Sequence, residues 1–290
     1  MSAGVESHPI VMTARPLVIK FGGELIEESA HLATVVAGLS AIARTGTPLV
    51  VVHGGGKEID AALEAAGLEK RQVEGLRITD EATLGVVVSV LAGAVNTRLV
   101  AALNTAGVPA VGLTGADASC GLSAAAPAHR TVDGGVVDLG CVGIPDQGAD
   151  MHLLHTLTAA QFVPVVACIG LGRDGRLFNV NADTFAGHLA ARLGARRLVI
   201  AGTTPGVLDA AGATLPELGA DAVERLVGDG TATAGMIAKL RACQHALSGG
   251  VDEVVIVDGR DRTALEGAAT SAAPGSATRL VKTVVRMVTA

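Results

Sequence analysis

The sequence predicts an α/β fold with a mostly parallel central sheet. Three observations carry that prediction. Short, continuously apolar runs recur along the chain, including Leu17–Phe21, Pro48–His53, Val163–Ile169 and Glu253–Val257, as strands buried on both faces require. Helical patterns separate these runs, the arrangement of βαβ units. Glycine clusters follow the first two runs, at the carboxyl ends where open α/β sheets collect ligands.

The elements follow in order. Leu17–Phe21 ends at Gly22-Gly23 and leads into a helix over about 30–44. Pro48–His53 ends at Gly54-Gly55-Gly56 and leads into a helix reaching Ala66. The spacing then predicts two helices, Glu81–Ala94 and Arg98–Ala106, before a strand at Val108–Leu113. Ser123–Val142 breaks the pattern: its apolar runs are short, and Asp133-Gly134-Gly135 signals a hairpin outside the main alternation. Met151–Gly172 carries no charge, but His152, His155, Gln161 and Pro164 make it helix, turn and buried strand rather than a membrane span. Arg173-Asp174-Gly175-Arg176 is a second hairpin signal, followed by a helix at 182–193 and a strand at Arg197–Ala201. A turn-rich stretch, Thr203–Leu215, precedes helices at 220–227 and 235–247 and the strand Glu253–Val257. A helix at 261–268, a surface loop at 269–275 and a strand near 278–283 close the chain.

Composition excludes several classes. The chain has 290 residues, of which 49% are hydrophobic. Gly and Pro together, 38 + 10 = 48, fall short of a low-complexity or collagen composition. The net charge of −6 argues against a nucleic-acid-binding face. Without Trp or Tyr, and with only four Phe, recognition by stacking on bases is excluded. Cys120, Cys141, Cys168 and Cys243 form no CxxC and have apolar neighbours, so they read as reduced core thiols. The N-terminus has no long apolar stretch of the signal-peptide kind, and the expected location is cytoplasmic.

The motifs are individually ambiguous. Lys20-Phe21-Gly22-Gly23 sets a point charge beside backbone N–H groups, which suits phosphate or is a tight turn with a solvated lysine. His53-Gly54-Gly55-Gly56 opens a helix whose N-terminus favours an anion. A lipase-type oxyanion loop would need a GxSxG elbow, and the nearest stretch, Asp117–Gly121, lacks the first glycine. There is no Walker A sequence either. In Gly75-Leu76-Arg77-Ile78-Thr79-Asp80, Thr79 or Asp80 can cap the next helix, and Arg77 is either a surface charge or a fork for a carboxylate. Asn179-Val180-Asn181-Ala182-Asp183 gathers two amides and an acid at a helix start. Lys239 lies about one turn into its helix. His129, His152, His155, His188 and His245 show no metal-ligand spacing, so no metal site is expected.

Together, and in this order, these motifs resemble the amino-acid kinase family and, within it, the N-acetylglutamate kinase branch. KFGG (20–23), HGGGKEID (53–60), GLRITD (75–80), NVNAD (179–183) and GMIAK (235–239) carry the resemblance, over about 17–280. It implies an open three-layer αβα sandwich with a mostly parallel sheet. It also implies a tail at 1–16, an N-terminal lobe at 17–172 for the amino-acid substrate and dimerisation, and a nucleotide lobe at 173–290. The implied reaction moves the γ-phosphoryl group of ATP, with Mg²⁺, to the side-chain carboxylate of N-acetyl-L-glutamate, an early step toward arginine.

By the same resemblance, Lys20 and Lys239 stabilise the phosphoryl group in transit and Asp183 orients both. Arg77 and Asn179 hold the α-carboxylate and acetamido ends of the substrate, under the loop of Gly54 and Gly55. Gly22, Gly23, Thr203, Gly206, Leu208 and Met236 face phosphate or nucleotide. Three departures stand out. The run Gly202–Leu208 lacks an acid before Pro205, Ala116 stands where relatives often carry lysine, and Ala277-Thr278 replaces a Gly-Thr. The first sixteen residues, with Pro9 and Pro16, show little helical periodicity. Arginine-inhibited members of the family carry an extra N-terminal helix that joins dimers into a hexamer, so the resemblance implies a homodimer without strong arginine inhibition. The length leaves no room for a fused acetyltransferase. Two alternatives stay open: a sibling kinase for another acyl group, chain length or carrier-bound acid, and a non-catalytic amino-acid sensor. A sensor should have lost Lys20, Asp183 or Lys239, and all three are present.

Overall fold

The computed structural model describes residues 14–209, 211–228, 234–270 and 275–282. The expectations for residues 1–13 and for the end of the last strand beyond 282 lie outside the described residues.

The strands of the two larger sheets, in chain order, are β1 (Leu17–Phe21), β2 (Leu49–His53), β3 (Ala110–Thr114), β4 (Ser123–Ala125), β5 (Val142–Pro145) and β6 (Val163–Ala167). They continue with β7 (Ile169–Leu171), β8 (Leu177–Val180), β9 (Arg197–Gly202), β10 (Glu217–Leu218), β11 (Glu253–Asp258) and β12 (Thr278–Val281). The helices are α1 (Glu24–Glu27), α2 (Ser29–Ala43), α3 (Gly56–Ala65), α4 (Glu81–Thr105), α5 (His152–Ala159), α6 (Ala182–Arg192), α7 (Ala220–Gly228), α8 (Ala234–Ser248) and α9 (Arg262–Thr270).

The apolar runs build one sheet in the order β10-β12-β11-β9-β1-β2-β6-β3. Every neighbouring pair is parallel except β11 with β12. Side chains alternate across it. Leu17, Ile19 and Phe21 of β1 pack with α1, α2 and α9, whereas Val18 packs with α3, α6 and α8. Helices therefore cover both faces, and the fold is the expected αβα sandwich. β4, β5, β7 and β8 form a smaller sheet beside it. The boundary at 172/173 falls in the turn of the β7–β8 hairpin, and the large sheet runs on through both halves where β1 pairs with β9.

That order decides where a ligand goes. The chain leaves β1 for β2 on one side and later returns to set β9 on the other. Crossovers depart in opposite directions at this point, which opens a crevice beyond the carboxyl ends of the strands. Lys20 shares the face of Val18, so it projects toward α6.

Four expectations need correction. The two helices foreseen between Glu81 and Ala106 are the single helix α4, in which Ser89–Val95 is π-helical. Among its buried residues, Thr83, Val87, Leu91, Val95, Leu99 and Leu103 recur every fourth position, with Leu84 and Asn96 beside them. On a straight α-helix such a stripe drifts about 40° per step, and the underwound π turn brings it back. Among the described residues, α4, rather than Met151–Gly172, is the segment long and apolar enough to cross a membrane. Its stripe instead fills the protein: Val87 and Leu91 join one core cluster, and Val95, Leu99 and Leu103 the other. Cys141 is half-buried rather than in the core, with its thiol donating to Glu81 Oε1 at 3.4 Å; the other cysteines are buried as expected. Finally, Ala269 and Thr270 belong to α9, not to the surface loop, because Ala268 and Ala269 are fully buried against the sheet. Residues 271–274 lie outside the described residues.

Candidate active site

Asn181 and Asp183 divide the work at the start of α6. The Asn181 side chain caps the helix, accepting from the backbone N–H of Asp183 and of Thr184, each at 3.0 Å. The Asp183 carboxylate is thereby free to face the sheet. One of its oxygens lies 2.8 Å from Lys20 Nζ, and the other 3.8 Å from Lys239 Nζ. Lys20 is 8% exposed and Asp183 9%.

The two ammonium groups do not behave alike. Burial alone would lower the pKa of Lys20, but the charge and hydrogen bond of Asp183 outweigh it and hold the value above normal. Lys239 is pushed below its ordinary value by burial, which the more distant Asp183 only partly opposes and the Lys20 charge reinforces. Asp183 thus raises Lys20 above its ordinary value but at Lys239 only resists a downward shift. Burial likewise disfavours charge on Asp183, yet Lys20 and then Lys239 bring its carboxyl below the usual range.

The glycine turns meet each other. A Cβ on Gly23 would lie 2.7 Å from Gly55 Cα, and one on Gly54 would lie 3.3 Å from Ala182 Cβ. Only glycine lets the loops after β1 and β2 close on one another beside α6. Glu24 curls back so that its carboxylate lies over Gly22, near Gly202 and Lys239.

Arg77 approaches from a short antiparallel ribbon of Gln72–Val73 and Leu76–Arg77. Its Nη2 donates to Asp60 Oδ1 at 2.5 Å and more weakly to the Gly56 carbonyl at 3.4 Å. Its Nη1 is buried and has no hydrogen-bond partner among the described residues. An unpaired buried donor on a cation is costly unless an anion completes it. Asn179 Nδ2 donates to Thr79 Oγ1 at 3.1 Å. The helix-capping role falls to Asp80, whose carboxylate accepts from Thr83 N at 2.9 Å.

Lys20, Gly22, Gly23, Gly54, Gly55, Arg77 and Asn179 line one cleft of about 310 Å³. Asp183 and Lys239 stand behind its lysine end. Thr203, Gly206, Leu208 and Met236 do not line that cleft; they sit around the carboxyl end of β9 and the start of α8. The Thr203 carbonyl accepts from Arg260 Nη2 at 2.7 Å. Gly206 makes room for buried Thr278, whose hydroxyl accepts from Val207 N at 2.8 Å and donates to the Leu215 carbonyl at 2.7 Å. Leu208 is exposed, and Met236 is half-buried against the core. No group of three or more potential metal ligands occurs among the described residues.

Sequence reasoning did not single out Glu24, Asp60, Cys168 or Arg260. Glu24 and Asp60 do lie within or beside the quoted motifs, next to Gly23 and four residues after Gly56. Cys168 lines the cleft floor and Arg260 reaches the Thr203 loop, and neither carries a local signal.

An ammonium pair bridged by a buried carboxylate, beside glycine loops at the edge of a parallel sheet, suits a phosphoryl group in transit, and this is the chemistry of a kinase. The profile of the amino acid kinase family matches residues 15–258, and the chain belongs to that family. It is 40% identical over 250 residues to the acetylglutamate kinase of Methylobacterium nodulans, spanning 84% of this chain and 81% of that one. It is 41% identical over 249 residues to the acetylglutamate kinase of Rhodopseudomonas palustris, spanning 84% and 83%. Among solved structures, N-acetylglutamate synthase from Neisseria gonorrhoeae superposes with a TM-score of 0.78 and 26% identity, over 93% of this chain and 60% of that one. Carbamate kinase from Giardia lamblia superposes with a TM-score of 0.67 over 93% and 99%, and at 16% identity shares the fold alone.

Proposed function

We propose that the protein transfers the γ-phosphoryl group of ATP to the side-chain carboxylate of N-acetyl-L-glutamate, yielding an acyl phosphate on the route to arginine. The observation that carries this reading is the unpartnered, buried Nη1 of Arg77 at one end of a cleft whose other end is Lys20. A substrate with an acid at each end fits between them. The α-carboxylate completes the Arg77 fork, Asn179 faces the acetamido group, and the side-chain carboxylate meets the phosphoryl group beside Lys20. The names of the relatives support the same substrate.

The chemistry needs little beyond alignment. The nucleophile is a carboxylate, already ionised at neutral pH, so no general base is called for. Lys20 and Lys239 neutralise the equatorial oxygens of the transferring group, and Asp183 holds their separation. The N–H groups of Gly23 and Gly55 add dipoles at the same spot, those of Gly22 and Gly54 being bonded to the Ala201 and Phe21 carbonyls. Thr203, Gly206, Leu208 and Met236 hold the nucleotide on the β9–α8 side, so the amino-acid lobe is 17–172 and the nucleotide lobe 173–290. Mg²⁺ would fit as an ion carried by the nucleotide phosphates, with the Glu24 carboxylate over Gly22 beside the phosphate-facing turn. It would supply further neutralisation of phosphate charge. The proposed setting is a cytoplasmic homodimer, where ATP and reduced cysteines coexist.

Hydroxylamine trapping tests the reading. Purified protein with MgATP and N-acetyl-L-glutamate should give a coloured hydroxamate. N-acetyl-L-aminoadipate and N-succinyl-L-glutamate, run in parallel, should give little. Signal with one of these alone moves the substrate; silence with all three from folded protein removes the acyl-amino-acid kinase reading.

A further inference from the structure

Two buried polar side chains beneath the glycine loop have no part in the chemistry above. His53 ends β2 directly before Gly54 and is fully buried; Asn96, on α4 at the end of the π-helical turn, is 5% exposed. Asn96 Nδ2 donates to the Val165 carbonyl of β6 at 2.9 Å and stands 2.9 Å from His53 Nε2. The Val165 oxygen can only accept, so the amide nitrogen must face it, and the second amide hydrogen points at Nε2. Nε2 is then the accepting nitrogen, and the ring proton sits on Nδ1. Nδ1 is 3.2 Å from the Gly54 carbonyl and donates to it. Burial keeps this ring neutral, with its pKa lowered to about 4. The charged groups nearest it, Glu58 of α3 and Arg98 of α4, pair with each other at 2.6 Å. Gly112 on β3 completes the seat, since a Cβ there would overlap Asn96 Oδ1.

We infer that Asn96 is a positioning residue: it fixes His53 as the Nδ1–H tautomer, which ties back the Gly54 carbonyl and aims the Gly55 N–H into the cleft. The trans peptide makes these two groups point opposite ways. His53 lies on the sheet face of Val51, which packs with α2, while Lys20 and the cleft lie on the other. Gly55 is the cap residue of α3, so its N–H is among the donors left open at that helix start. The π turn serves both ends of this arrangement. It carries Leu91, which a Cβ on Gly55 would approach to 2.8 Å, and it delivers Asn96 to the sheet.

The kinetic side of this inference rests on the kinase reading above, and the test separates the two. Long-range ¹⁵N–¹H correlation on the full-length protein reads the tautomer directly, and the ¹³C′ shift of Gly54 reads its hydrogen bond. Wild type should show His53 as Nδ1–H alone. Asn96→Ala should mix the tautomers and shift the Gly54 carbonyl. It should also lower kcat on the order of ten- to a hundredfold, below the loss of a direct oxyanion donor, with KM for ATP within about twofold. His53→Asn sets a donor at the Nδ1 position and should keep most of kcat. His53→Gln reaches only the Nε2 position and should fall as far as Asn96→Ala. An Nε2–H ring in wild type, an unmoved tautomer and Gly54 shift in Asn96→Ala, or equal losses in the two His53 variants would each overturn the inference. If wild type phosphorylates no acyl amino acid, the kinase reading fails, and the two spectroscopic signals still decide the role of Asn96.

Discussion

Asp183 offers one carboxylate oxygen to Lys20 at 2.8 Å and the other to Lys239 at 3.8 Å, so a single buried acid links β1 to α8. The contact to Lys20 is a close ion pair, and the contact to Lys239 is a looser attraction. Loss of each partner should therefore have different consequences.

Lys239→Ala should lower kcat by about 10²–10⁴, the range for losing an electrostatic stabiliser, with little change in melting temperature. Lys20→Ala should lower kcat as much and also destabilise, because it strands the buried Asp183; breaking such a pair costs about 3–5 kcal/mol. Steady-state kinetics and thermal melts on both variants check this. Near-normal turnover in either would remove that lysine from the chemistry.

The alkaline limb of the pH profile should belong to Lys239. Its folded pKa lies below the ordinary lysine value while that of Lys20 lies above. As pH rises, Lys239 loses its proton first, the phosphoryl group loses a positive neighbour, and kcat falls. Lys239→Arg keeps its charge throughout this range, so its profile should be flat where that of wild type declines. A decline unchanged in this variant would assign the limb elsewhere.

Arg77→Ala should raise KM for the acyl amino acid on the order of ten- to a hundredfold, as for a lost hydrogen bond to a charged group. KM for ATP should stay within about twofold. Arg77→Lys should recover little, since an ammonium cannot reach Asp60 and a substrate carboxylate in the same fork. Initial rates over both substrates separate these cases, and an equal rise in both KM values would count against a carboxylate clamp.

Acid should weaken the fold through two histidines. Burial, above all, lowers His53 and His188 from 6.5 to about 4; His188 also stacks on His245 with ring centroids 6.1 Å apart. Both folded values lie below the unfolded one, so the unfolded chain takes up protons first. Their stabilisation is complete above 6.5 and is lost as pH falls toward about 4. Urea midpoints should drop across that window, and His188→Gln should drop less than wild type. Equal slopes would show that His188 does not contribute.

Gly23→Ala and Gly56→Ala form a steric pair. At Gly23 a methyl would meet backbone at 2.7 Å, whereas at Gly56 nothing lies within 4 Å. Gly23→Ala should lower both the melting temperature and kcat, because one loop must retreat from the other. Gly56→Ala should leave the melting temperature near that of wild type. Differential scanning calorimetry distinguishes them, and similar melts would show that the two loops can separate freely.

Much of this was legible in the sequence because it is local. Apolar runs ended by glycine mark strands and their ligand-facing ends, and the helix start at Asn181-Ala182-Asp183 follows from capping chemistry. What failed was also instructive. The helix break foreseen between Ala94 and Arg98 does not occur, because the π-helical turn Ser89–Val95 carries α4 through without interruption. Cys141 looked like a core thiol because its sequence neighbours are apolar, but the short strands around it leave it at an edge.

By itself the sequence determined the strands and the glycine turns, since each depends on a few consecutive side chains; the charged residues at the sheet's carboxyl edge stood together only through the family resemblance. Only the tertiary structure decided that Asp183 binds Lys20 more closely than Lys239, that Arg77 keeps one buried nitrogen unpaired, and that Asn96 orients the His53 ring. Those relationships join residues far apart in the chain. Their distances are set by how helices pack across the sheet, which no local pattern encodes.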